Sequence, residues 1–117
     1  MDDTRENGGD SGSMYVALLL NALDNWDEDL SDDALIEYVL ACRVEMLSAL
    51  PRRGESTYSA LASEIAYDRA LIKLCEAHEL QVVAANFAHP KEERAHVEHE
   101  LGAAGFDLNA LARRRRS

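Results

Sequence analysis

The sequence predicts an all-α protein, a compact bundle of four or five helices. Three observations carry this. Ala and Leu are abundant while β-branched residues are few, a balance that favours helix. Apolar residues recur at three- and four-residue spacing through several segments, which is the helical period. Only two prolines, Pro51 and Pro90, interrupt the 117 residues. A chain of this length can close one core without disulfide or metal staples. The expected organisation is a disordered acidic arm over 1–12, one helical domain over 13–111 and a basic tail over 112–117.

The arm, with Gly8, Gly9 and Gly12 among acids, has too little apolar surface to order itself. Ser13 suits an N-cap for a helix over 15–26. There Val16, Leu18, Leu19, Leu20 and Leu23 make the helix apolar nearly all round, so burial on most sides is expected. Residues 24–33 then hold six acids in ten positions. They read as a solvated loop whose end, Ser31-Asp32-Asp33, caps the next helix and suits its positive N-terminus. A calcium loop would need Gly at its sixth position and Glu at its twelfth, and both are absent in the registers starting at Asp24, Asp27 and Asp29.

A second helix over 32–50 shows an apolar face of Leu35, Ile36, Val39, Cys42, Met46, Leu47 and Leu50, with Arg43 inside that arc. Pro51 and Gly54 end it. The stretch 57–80 follows, with Leu61, Ile65, Ile72 and Cys75 on one side at about 100° per residue. An unbroken helix would place Asp68 in the middle of that stripe. An unpaired buried carboxylate costs several kcal/mol or takes up a proton. The remedies are a break near 66–68, a cationic partner, or a stripe that faces solvent there; a break or a partner is expected, and Arg43, also misplaced on an apolar face, is the candidate partner. Residues 81–88 are short and apolar and fit a helix extension, a strand or a packed loop. His89-Pro90 starts a further helix with Val97, Leu101 and Ala104 facing the core, and Gly102 and Gly105 finish it. A last turn over 106–111 is capped by Asp107.

The net charge of −10 is unevenly placed. Residues 1–37 carry eleven acids against Arg5 alone, and residues 38–117 balance to zero. Overall acidity therefore does not by itself exclude a basic surface further along. No apolar run approaches the ~20 residues a membrane span needs, and the start MDDTREN does not read as a signal peptide. Cys42 and Cys75 fit buried free thiols in a reducing, cytoplasmic compartment.

Three function classes then have sequence support. The first is a non-catalytic interaction or regulatory module. Its first helix carries more apolar surface than one contact hides, so a protein partner or a homo-oligomer is expected. The second is a helix-turn-helix DNA-binding protein, with the corner at 66–68 and Asp68 as N-cap of the second helix. Arg69 and Lys73 would then face a groove, with Arg52 and Arg53 on phosphates. The acids Glu76 and Glu79 on the same helix disfavour nucleic acid. The third is zinc, since Cys75 and His78, with His96 and His99, sit one turn apart on two helices and could close a four-ligand shell. No nucleophile elbow, phosphate loop or triad spacing asks for an enzyme.

Overall fold

The computed structural model describes residues 3–49 and 57–116, with side chains over 14–49 and 60–114. Among these residues the chain is all-α, with five α-helices and no strand. The helices are α1 (Asp3–Asp24), α2 (Asp32–Ala49), α3 (Thr57–Ala77), α4 (Pro90–Ala103) and α5 (Leu108–Arg116), with a 3₁₀ turn at Ala84–Ala88 before α4. Helical backbone in α1 begins at Asp3, ahead of the Ser13 cap and inside the arm expected to be disordered. The turn expected around Pro51 and Gly54, with Leu50, Arg52 and Arg53, lies outside the described residues.

The centre of the bundle is α3. It packs against α2, α1 and α4, while α1 and α4 also rest on the 84–88 turn and α5 rests on α4. Tyr67, Asp68, Ala70, Leu71, Ile72, Leu74 and Cys75 are all buried, so two turns of α3 are covered on nearly every side. The helix that is buried all round is thus α3, where the sequence pointed to α1. Among the described side chains of α1, Tyr15 and Leu19 alone are buried, with Leu23 packed beside them. The reason is in the packing: α3 lies against α1, α2 and α4, whereas α1 lies against α3 and the 84–88 turn.

On α2, Leu35, Ile36, Val39, Leu40, Cys42 and Met46 face inward. Leu47, expected on the core face, stands outside beside Val44. By helical angle Leu47 falls between the buried Ile36 and Leu40, but it stands in the last turn of α2, nearer the helix end than any of the buried positions. Ser31 caps α2 as expected, its Oγ accepting from the Ala34 N–H at 3.2 Å. Asp107 caps α5, its Oδ1 accepting from the N–H groups of Asn109 (3.0 Å) and Ala110 (3.2 Å).

Two helix ends close with the same reverse turn. After α4, Phe106 N–H donates to Leu101 O (2.7 Å) and Gly105 N–H to Gly102 O (3.1 Å), with Gly105 left-handed at φ 104°. After α3, Leu80 N–H donates to Cys75 O (2.8 Å) and Glu79 N–H to Glu76 O (3.2 Å), with Glu79 left-handed at φ 61°. Both satisfy orphan carbonyls of the last turn. Glycine meets the backbone demand after α4, but after α3 a glutamate carries it at a steric cost. The two turns meet, with the Phe106 ring 4.3 Å from that of His78. Residues 81–88 are neither strand nor helix extension: they form a packed loop whose 3₁₀ turn buries Phe87. No described helix is long and apolar enough to cross a membrane.

Candidate functional site

Asp68 lies on α3, which runs through 66–68 without a corner, and its side chain is 0% exposed. Of the remedies the sequence offered, the chain uses the partner. That partner is Arg94 on α4, 7% exposed, not Arg43. Arg94 forks the carboxylate, with Nε to Oδ1 at 2.7 Å and Nη2 to Oδ2 at 2.9 Å. Tyr15 of α1 donates its hydroxyl to Asp68 Oδ2. Arg94 Nη1 also lies 3.8 Å from Glu64 Oε2. One buried carboxylate therefore ties three helices together.

Burial pushes the Asp68 carboxyl above the ordinary carboxylate range, while the Arg94 bonds and charge and the Tyr15 hydroxyl hold it back down. Burial also works against the Arg94 charge, but the Asp68 bonds and charge outweigh it and lift that group above its usual value. Three donors aimed at two oxygens suit the ionised carboxylate, since a proton there would displace one of them. Arg94 was readable in principle: it precedes Val97 by three residues and Leu101 by seven, on the face those residues bury.

Arg43 sits at the edge of the core, and its Nη2 donates to Asn109 Oδ1 of α5 at 2.7 Å. Nearby, buried Tyr67 donates its hydroxyl to Glu98 Oε2 at 2.5 Å. Arg43, Glu98, His99, Gly102, Asp107 and Asn109 line an open polar cleft of 210 Å³ between α2, α4 and α5. Each of its charged walls therefore also serves a packing contact between helices or a helix cap.

Arg69 and Lys73 do not front a groove-reading helix. The recognition geometry required a corner, and α3 is continuous. Arg69 Nη2 donates to Tyr38 Oη (2.8 Å) and Nη1 to Ala22 O (3.2 Å), and its guanidinium lies 4.9 Å from the Trp26 ring centre. Lys73 pairs with Glu76 at 3.4 Å and stands 5.9 Å from the same ring. Trp26 meets Tyr38 edge-on at 5.5 Å. These cations fasten the end of α1 to α2 and α3. Arg52 and Arg53 lie outside the described residues.

The four zinc candidates are not brought together. Cys75 is wholly buried in the core, and burial first, then Glu76 and Glu100, pushes its thiol up to about 11. Cys42 is also a buried free thiol, raised by burial. His78 packs on Phe106 and faces Asp32 Oδ2 at 3.7 Å. His96 and His99 are exposed on the side of α4 away from Val97 and Leu101. Among the described residues no three His, Cys, Asp or Glu side chains stand close enough together to hold a metal ion. The one-turn spacing put each pair on one helix but could not make the two helices face each other.

From Met14 onward the far side of α1 is open to solution. Met14 is 61% exposed, Leu18 38% and Leu20 47%, with Ala17, Asn21 and Asp24 exposed between and beside them. At 100° per residue these six positions cover roughly 160° of the helix surface. The acids Asp27, Glu28, Asp29, Asp32 and Asp33 continue from it, all exposed. No protein-family model, curated protein or solved structure matches the chain.

Proposed function

We propose that this chain is a non-catalytic interaction module that presents the outward face of α1 to a protein partner. One observation carries the reading: Met14, Leu18 and Leu20 are exposed on one arc of a helix whose opposite arc is fixed to the core. Scattered exposed leucines are ordinary, but grouped apolar side chains with a polar border are the mark of a contact surface. Covering a leucine-sized side chain fully is worth about 1.5–3 kcal/mol, so three of them can anchor a partner of moderate affinity. Val44 and Leu47 on α2 form a smaller second patch. The reading draws further support from Arg43, Asp68 and Arg69, which looked chemical in the sequence and are engaged in holding helices together.

The test is a paired capture experiment with the full chain and its Leu18→Ser/Leu20→Ser variant as baits, plus light scattering on each. The expected result is a protein, or a second copy, retained by the wild type and lost from the variant. Both positions are exposed, so the variant keeps its fold, which circular dichroism checks. Identical retention by both baits, with both strictly monomeric, would overturn the reading.

A further inference from the structure

We infer that the occupant of the α1 face is a basic amphipathic segment of a different protein, not a second copy of this chain. The inference rests on the reading of α1 as a contact surface and adds the chemistry of what sits there. Charge is the first ground. The face belongs to the third of the chain that carries eleven acids against one arginine. Asp24 lies within the exposed arc, and Asp27, Glu28 and Asp29 border its end. None of these four has a basic partner among the described residues: Arg69 and Lys73, the cations beside Trp26, are engaged with Tyr38, Ala22 and Glu76.

A symmetric dimer through this face would set two such acidic thirds against each other, because a two-fold contact places each patch on itself. Like charges opposed across a contact disfavour it. A head-to-tail contact that answered these acids would have to bring the basic end of α5 onto α1. That helix, however, has already committed its apolar side to its own core, with Leu108 buried and Leu111 and Ala112 packed against the same cluster. It can offer charge but no apolar side chains to cover Met14, Leu18 and Leu20. The complement that fits is a helix with leucine-type residues on one side and lysine or arginine on its flanks. Such a segment matches the apolar arc with its apolar face and the acidic border with its rim.

The test uses a labelled synthetic leucine–lysine amphipathic peptide and its leucine–glutamate counterpart, titrated against the full chain while its mass is followed by light scattering. The expected result is binding of the basic peptide only, weakening as salt rises. Leu18→Ser/Leu20→Ser should lower that affinity about tenfold or more, and Asp27→Asn/Glu28→Gln/Asp29→Asn should flatten the salt dependence. Equal binding of the basic peptide to the leucine-less variant would reduce the effect to attraction by the acids and overturn the inference. Equal binding of both peptides to the wild type would also overturn it, as would binding of neither. A wild-type dimer that Leu18→Ser/Leu20→Ser dissolves would overturn it too, while leaving α1 as a contact surface.

Discussion

Replacing Arg94 by methionine isolates the contribution of the buried ion pair. The change keeps an unbranched side chain but leaves Asp68 with no counter-charge in a site that is 0% exposed. Removing one partner of a buried pair costs about 3–5 kcal/mol. Complete burial of Asp68 and the loss of two direct bonds, at 2.7 and 2.9 Å, place this site towards the upper end. Stability for a domain of this size is about 5–15 kcal/mol in total. At about 4 °C per kcal/mol the melting temperature should fall by roughly 12–20 °C. Urea unfolding followed by circular dichroism measures the loss. Its pH dependence has a definite sign. Without Arg94 the carboxyl is raised further above its unfolded value near 3.9, so stability is fully present below that value and lost as pH rises through the raised one. Arg94→Met should therefore lie closest to wild type in acid and furthest from it at neutral pH. The triple change Tyr15→Phe/Asp68→Leu/Arg94→Met removes donors and acceptor together and should recover most of the loss. A single-variant cost under about 1 kcal/mol, or a triple variant no better than the single, would refute the account of Asp68 as a charge that must be paired.

Two further outcomes follow from the core and the helix ends. Burial first, then Asp68 beside Tyr15 and Glu98 beside Tyr67, pushes both phenols far above their ordinary value. A raised folded value means stability is intact below pH ~10 and is lost above it, by up to about 1.4 kcal/mol per pH unit for each phenol. Phenolate absorbance from these two tyrosines should then appear together with loss of helical dichroism, whereas ionisation in the still-folded chain would contradict their burial. At the ends of α3 and α4 the left-handed positions should respond oppositely. Glu79→Gly should stabilise by about 1 kcal/mol and Gly105→Ala should destabilise by a similar amount, both read from urea midpoints. The same sign for both would remove the reverse-turn account.

Much of this bundle was legible because helix formation is local. The starts at Ser31, Pro90 and Asp107 and the stop at Gly105 depend on residues within one turn of the boundary, and the sequence displays them. Periodicity also flagged Asp68 as a side chain in need of a partner. It could not choose that partner. Arg43 and Arg94 both fall among apolar residues of their own helices, and periodicity fixes a residue's angle on its helix, not which neighbour lies opposite. Arg94 wins because α4 crosses α3 beside Asp68, while Arg43 is carried to α5 and Asn109. The same limit explains the zinc candidates and the exchange of roles between α1 and α3. Burial all round is a count of neighbours, which only the packed structure contains.

The Tyr15 bond also couples the buried pair to the way α1 is seated. Leu19 and Leu23 on the inner arc are matched on the outer arc by Met14, Leu18 and Leu20, so apolar burial alone discriminates weakly between the two seatings. Turning α1 to bury the outer arc would carry Tyr15 away from Asp68 and leave a buried carboxylate oxygen short of a donor. A buried ion pair contributes little net stability against a well-packed apolar replacement, and its attested use is in fixing register. The triple variant separates the two contributions. With Tyr15, Asp68 and Arg94 all made apolar, helix content and stability should survive, but α1 should sample both seatings, broadening the methyl resonances of Met14 and Leu19. Sharp, wild-type-like methyl signals in that variant would show that packing alone seats the helix and that the exposed face owes nothing to the buried charge.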